Sequence, residues 1–241
     1  WGLESGGPIV KDKFWVWGSY AEPKIELLTV SDFPDITTLE GYNFKANAQL
    51  SQNNSGTLFI WDSAKVKIGR NAGPTRPPET TWNQEGYGDW PGAGKIEDTH
   101  VFSSSFFLTG MYSVVNGGFQ LRPQGGEKFT SIDSATGIWA HSFQDIYPID
   151  RPQEQFKADA SNFFNTGDVS HELKYGASYR VAEQFTGSRW PAGGYEYILG
   201  GGITYYVLSR DGLIDVEGEY TSAYVQDTMT VGNLTANVGL R

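Results

Sequence analysis

The 241-residue chain has a formal charge of -10, no Cys, 15% aromatic residues and 30 Gly. An acidic balance without a basic run argues against a phosphate-neutralising nucleic-acid surface, and the missing thiols exclude a disulfide framework and a thiolate metal site, which fits a cytosolic protein and a Gram-negative envelope protein equally. The length fits one large all-β domain or part of something bigger, and no apolar run approaches the roughly 20 residues of a spanning helix.

The chain opens at Trp1, with neither Met nor the charged start and apolar core of a signal peptide, as expected of a piece of a larger product. Residues 1–9 are Gly-rich and extended, Lys11, Asp12 and Lys13 make a charged turn, and residues 14–20 form a strand whose aromatics begin beside that turn. A connection at 21–40 carries Pro23 and Pro34. Residues 44–51 then alternate strictly, turn through Asn53, Asn54, Ser55 and Gly56, and return over 58–68.

A second connection, 69–93, is rich in Pro, Gly and Trp. Strands 95–102 and 106–115 pair across Ser103, Ser104 and Ser105, and a third excursion covers 116–153. Next comes the clearest hairpin: residues 156–161 and 171–181 alternate around Asn165, Thr166, Gly167 and Asp168. A fourth excursion, 182–218, is expected to hold a small hairpin about Arg210, Asp211 and Gly212. The chain closes with 219–229, a turn at 231–233 and the alternating run 234–241.

One side of the clear hairpin is continuously apolar, with Leu173, Tyr175, Ala177, Tyr179 and Val181, while the other carries Lys157, Asp159, Glu172, Lys174, Ser178 and Arg180. A half-buried soluble strand shows this with its polar face in water, and a membrane barrel shows it with its polar face toward a wet lumen. Connections switch between short turns of about 2 to 6 residues and loops of about 20 to 37, the asymmetry of outer-membrane barrels. Aromatics gather at the short turns (Phe14, Trp15, Phe106, Phe107, Phe163, Phe164), where an interfacial girdle would sit. In a soluble fold each would be core.

Five blocks carry a family likeness: Gly6-Gly7-Pro8-Ile9-Val10-Lys11-Asp12-Lys13 running into 14–20; Thr75-Arg76-Pro77-Pro78-Glu79; Gly117-Gly118-Phe119-Gln120-Leu121; Asp150-Arg151-Pro152-Gln153; and Tyr224-Val225-Gln226-Asp227-Thr228 with Leu240-Arg241. In this order and spacing they resemble TonB-dependent outer-membrane receptors of the Oar-like group, whose full-length members carry a carboxypeptidase-regulatory-like domain and a plug. The likeness is thinnest between Ile198 and Glu219. It implies an all-β fold, an antiparallel transmembrane β-barrel of about 22 strands with short periplasmic turns and long extracellular loops. Residues 1–241 would supply roughly ten strands, without the plug, the TonB-contacting segment or the closing C-terminal strand. The implied role is energised nutrient uptake at the outer membrane, not an enzyme activity and without a cofactor. The implied partners are outer-membrane lipid, the protein's own plug, the TonB energy-coupling complex and a nutrient ligand, with no nucleic acid. Lys157, Asp159, Glu172, Lys174, Ser178 and Arg180 would line the lumen, since Lys or Arg facing mid-depth hydrocarbon costs about 2 to 4 kcal/mol.

No catalytic or metal motif competes. His100, His141 and His171 lack the helical metalloprotease spacing, no G-x-S-x-G occurs, and Gly86 to Lys95 fails the phosphate-loop pattern because Ile96 replaces the hydroxyl residue. Among the 28 acids, a glycosidase pair drawn from Glu154, Asp159, Glu172, Glu217 and Glu219 stays open, as does a secreted glycan-binding module. The loop aromatics Trp82, Tyr87, Trp90, Trp139, Tyr147 and Trp190 are candidates for stacking on a sugar or gripping a hydrophobic ligand, or for packing the loops onto one another.

Overall fold

The computed structural model describes all residues except Ser31 and Gly201, and all side chains besides those of Tyr87 and Tyr147. Its strands are β1 (Gly2–Val10), β2 (Phe14–Ala21), β3 (Lys24–Leu28), β4 (Pro34–Ser51), β5 (Asn54–Arg70), β6 (Trp82–Tyr87), β7 (Ala93–Ser103), β8 (Phe106–Pro123), β9 (Thr130–Asp133), β10 (Trp139–Ala140), β11 (Asp145–Thr166), β12 (Val169–Arg189), β13 (Gly194–Ile198), β14 (Thr204–Leu208), β15 (Gly212–Val231) and β16 (Leu234–Leu240). β1, β2, β4, β5, β7, β8, β11, β12, β15 and β16 follow one another as antiparallel neighbours in a 12-stranded sheet, with β3 and β6 completing its upper part. These are the ten expected wall strands. β9, β10, β13 and β14 form a separate 4-stranded sheet from the chain above them.

Tight turns at one end set the register. Between β11 and β12 only Gly167 and Asp168 intervene, and Gly167 has φ +61°, the left-handed conformation that a two-residue hairpin demands and glycine supplies without a Cβ penalty. Partners then run without a slip from Thr166↔Val169 to Gln153↔Ala182. Opposed residues share a face, so the register sorts every side chain. Lys157 pairs with Ser178 and Asp159 with Gly176, while Phe156 pairs with Tyr179 and Ala158 with Ala177. The sorting continues across the neighbours, Lys45 opposing Phe59, Lys95 opposing Ser113, Met111 opposing Lys157 and Lys174 opposing Gln226.

Followed strand by strand, Lys45, Lys65, Lys67, Lys95, Arg151, Lys157, Lys174 and Arg180 all fall on the polar face. On the other lie Val16, Phe44, Leu58, Ile60, Ile96, Leu108, Tyr112, Phe156, Ala177 and Val225. That face is uncovered: Phe156 is 54% exposed and Ile96 57%. The buried apolar side chains among the described residues are Ala46, Leu121, Phe143, Ala160 and, in the loops, Pro191, so no packed interior lies beneath it. Low on the apolar face two carboxylates are hydrogen-bonded, Asp98 to Asn54 Nδ2 (3.0 Å) and Asp227 to His171 Nδ1 (2.7 Å).

The structure corrects three expectations. The long connections are largely strand, since β4 starts at Pro34, β8 runs to Pro123, β11 starts at Asp145 and β15 at Gly212. Where both faces of a sheet meet water, pairing persists while the period-two apolar signal fades. The small hairpin turns between β13 and β14, not about Arg210, Asp211 and Gly212, which lead into β15. Among the turn aromatics, Trp15, Phe107 and Phe163 lie on the polar face, opposite Asn47, Ser161 and Glu172. Adjacent aromatics in a strand must point to opposite sides.

Candidate functional site

The six predicted polar-face residues come together as a continuous surface. Lys157 Nζ lies 2.7 Å from Asp159 Oδ2 and Lys174 Nζ 2.8 Å from Glu172 Oε1. The hydroxyls of Ser178 and Ser222 are 2.8 Å apart, and the Arg180 guanidinium stands 4.5 Å from the Tyr220 ring centroid. Tyr224 Oη donates to Asp159 Oδ1 at 2.8 Å, reaching from β15 across β12 to β11. Gly176 makes that reach possible, because a Cβ there would lie 2.8 Å from Tyr224 Cε1, 2.6 Å from Asp159 Oδ1 and 2.6 Å from the Ala158 carbonyl oxygen. Beside it a hollow of about 490 Å³ is lined by Gln155, Lys157, Ser178, Ser222, Tyr224 and Gln226, among others.

Tyr220, Ser222 and Tyr224 escaped sequence reading because their strand alternates weakly. Tyr224 and Thr221 are amphipathic types that fit either face, and only the register places them.

At the other end of the strands a second assembly is built from the loops. Arg76 projects into a box of rings, its Cζ lying 3.6 Å from the Phe143 centroid, 5.2 Å from Trp139 and 5.9 Å from Trp82, while Nη2 donates to the Thr80 carbonyl at 2.9 Å. Trp139 stacks on Trp190 at 6.1 Å with planes 6° apart, and Trp190 meets Tyr195 at 4.6 Å. Trp82 Nε1 donates to the Gln144 carbonyl at 2.6 Å. Burial presses the Arg76 guanidinium below its ordinary range, and the ring faces compensate the charge.

Below the box, Asp145 is 2% exposed and accepts from Arg189 Nε and Nη2 at 3.2 Å, with Arg122 Nη1 at 3.9 Å; Arg189 also pairs with Glu127. Desolvation raises the Asp145 carboxyl above its usual value, and the Arg189 hydrogen bond and the Arg122 charge pull it partly back.

Three of the loop aromatics named from sequence, Trp82, Trp139 and Trp190, are thus packed together. Trp90 is apart: it is 64% exposed, and its Nε1 donates at 2.6 Å to Tyr42 Oη on the apolar face. The side chains of Tyr87 and Tyr147 lie outside the described residues. Sequence reasoning missed Arg76, Phe143, Asp145 and Arg189, although an Arg between the prolines of a Trp-bearing loop was a usable signal. Among the described residues, no group of three or more Asp, Glu and His could hold a metal ion.

No family model matches the chain, and no curated protein matches it. Solved structures do. The outer membrane transporter YddB from Escherichia coli aligns over 99% of this chain and 32% of its own, with a TM-score of 0.70 at 13% identity. BauA, the ferric preacinetobactin receptor from Acinetobacter baumannii, aligns over 99% and 38%, at 0.68 and 13%. The siderophore receptor PirA from Acinetobacter baumannii aligns over 99% and 34%, at 0.60 and 13%. The chain therefore has an all-β fold, part of an antiparallel β-barrel of the kind that outer-membrane receptors use, and it spans about a third of the length of these structures.

Proposed function

We propose that the chain is ten wall strands and the extracellular loops of a TonB-dependent outer-membrane receptor, and that it serves energised uptake of a nutrient across the outer membrane of a Gram-negative cell. The observation that carries this reading is the pairing of an uncovered apolar face with a polar face holding the wall's cations, on a sheet with the receptor-barrel fold. Lipid meets the first face and the watery lumen the second. Lys157, Asp159, Glu172, Lys174, Ser178 and Arg180 then face the plug. The soluble alternatives, a glycan-binding module or a glycoside hydrolase, require a packed interior behind the apolar face.

Residues 1–241 belong to the barrel domain, and the rest of the receptor supplies its remaining strands, the plug and the contact with the TonB complex. The five sequence blocks support the Oar-like group as the branch. The tight turns lie on the periplasmic side and the loop assembly outside the cell. There Trp82, Trp139 and Trp190 buttress a cap from within, and the outer surface of that cap is where ligand is captured.

The test is a pair of neighbouring substitutions in the full-length receptor. Tyr175→Arg puts a cation toward hydrocarbon and is expected to block membrane assembly, whereas Lys174→Tyr on the lumen side is expected to be mild. Equal assembly of the two, read by heat-modifiable mobility, would reverse or abolish the assigned faces.

A further inference from the structure

The loop sheet ends on a strand whose outer edge is open. β14 is the terminal member of the order β10-β9-β13-β14 and pairs with β13 alone, from Gly194↔Leu208 to Ile198↔Thr204 without a shift. Just outside that ladder, Ser209 N donates to the Gly193 carbonyl at 2.9 Å and Leu199 N to the Ile203 carbonyl at 2.7 Å. Antiparallel partners alternate between bonded and non-bonded pairs, so Ile203, Tyr205, Val207 and Ser209 turn their main-chain groups to β13. Thr204, Tyr206 and Leu208 turn their N–H and C=O groups away, where no partner lies among the described residues.

Such an edge is a template for another chain unless charge, proline, a bulge or a cover blunts it. The opposite edge of the same sheet is covered, Trp139 N donating across it to the Thr75 carbonyl at 3.0 Å. β14 has none of these devices: its sequence is Thr-Tyr-Tyr-Val-Leu, and its pairing holds no bulge. Side chains stand clear on both faces. Tyr205 opposes Tyr197 on one, and Tyr206 (69% exposed) shares the other with Leu208 (83%), the Phe129 ring lying 5.9 Å from that of Tyr206. The hydroxyls of Tyr197, Tyr205 and Tyr206 hold no hydrogen bond among the described residues. Exposed tyrosines with uncommitted hydroxyls suit a partner that binds and leaves, since they offer broad contact at low entropic cost.

Resting on the extracellular placement of the loop assembly given above, we propose that β14 docks an extended polypeptide segment from outside the cell, which joins the loop sheet as its next strand. The main-chain groups of Thr204, Tyr206 and Leu208 exchange up to about six ladder bonds with it. Its alternate side chains lie against Tyr197 and Tyr205 on one face and against Phe129, Tyr206 and Leu208 on the other. Glu196, which opposes Tyr206, favours a basic side chain on that second face. The ligand class at this edge is a peptide read by its backbone, because a glycan or a compact small molecule presents no row of amides.

The test titrates the full-length receptor with a dye-labelled, alternating Val-Lys octapeptide and with the same peptide N-methylated at every second residue, which keeps its side chains and charge. The N-methylated peptide is expected to bind about tenfold or more weakly. Tyr206→Pro removes one outward N–H, a change that an edge strand tolerates, and is expected to weaken the plain peptide as well. With that peptide bound, hydrogen exchange should slow at the amides of Thr204, Tyr206 and Leu208 and change little at those of Tyr205 and Val207. Equal binding of the two peptides would overturn the proposal, and this comparison stands even where the proline variant fails to assemble. So would slow exchange at 204, 206 and 208 before any peptide is added, which would give the edge to another segment of the receptor, or to a second copy where the slowing fades on dilution. A separate Gly200→Cys variant, whose Cβ meets nothing within 4 Å, checks the placement. Its labelling by a membrane-impermeant maleimide only after solubilisation, and not on intact cells, would sink the extracellular reading itself, an outcome distinct from labelling on cells without peptide binding.

Discussion

Replacing Gly176 with Ala puts a methyl group where the structure has room only for hydrogen. Its Cβ would stand 2.6 Å from the Ala158 carbonyl oxygen, a backbone atom that cannot swing away, and 2.8 Å from the Tyr224 ring. The change gains about 0.5 to 1 kcal/mol of strand preference over glycine. Against it stand overpacking strain of about 1 to 3 kcal/mol and the Tyr224–Asp159 hydrogen bond. That bond is worth about 1.5 kcal/mol, the lower end for a charged acceptor, because Asp159 is 28% exposed and keeps Lys157. The net expectation is a loss of about 1.5 to 4 kcal/mol, with Tyr224→Phe costing about 1 to 1.5 on its own. Urea titration of the full-length receptor, followed by heat-modifiable mobility, measures both. In the double variant the two losses should fall short of their sum by about 1 kcal/mol, since both remove one hydrogen bond. A Gly176→Ala protein as stable as the wild type, or strict additivity, would refute the three-strand contact.

The loop cap gives two further expectations. Arg76→Ala should raise hydrogen exchange together in 72–82, 124–144 and 190–195, because one guanidinium touches rings from two of these segments and the Trp139–Trp190 stack joins the third; a rise confined to 72–82 would contradict a shared cap. Asp145 is a carboxyl held above its ordinary 3.8 when the cap is closed, so in the window upward from 3.8 the closed cap binds more protons than the open one. Its stability is therefore fullest below that window and falls as pH rises through it. Asp145→Asn should remove this slope from intrinsic-rate-corrected exchange in 124–144, and a slope that persists in the variant would place the titration elsewhere.

The wall was legible because each of its strands is apolar on one face only, which writes period two into residues such as 171–181. The turns were legible for a related reason, Gly167 and Gly232 marking places where the chain needs positive φ. Legibility ends where the two faces no longer differ. Residues 34–43, 116–123 and 212–218 remain paired strand, but their side chains read as loop. The polar face was half legible, its Lys and Glu plain in β11 and β12 and its Tyr220 and Tyr224 visible only through register. The Arg76 box was hidden altogether, for it joins residues up to 114 positions apart (190 − 76), and nothing local to Trp139 or Trp190 announces their stacking.

The absence of Cys lets single cysteines be introduced one at a time along 171–181 of the full-length receptor and labelled with an environment-sensitive fluorophore in membranes containing brominated acyl chains. Quenching should alternate, strong at 173, 175, 177 and 179 and weak at 172, 174, 176, 178 and 180. Uniform quenching, or the opposite alternation, would contradict the assignment of the apolar face to lipid and with it the receptor-wall account.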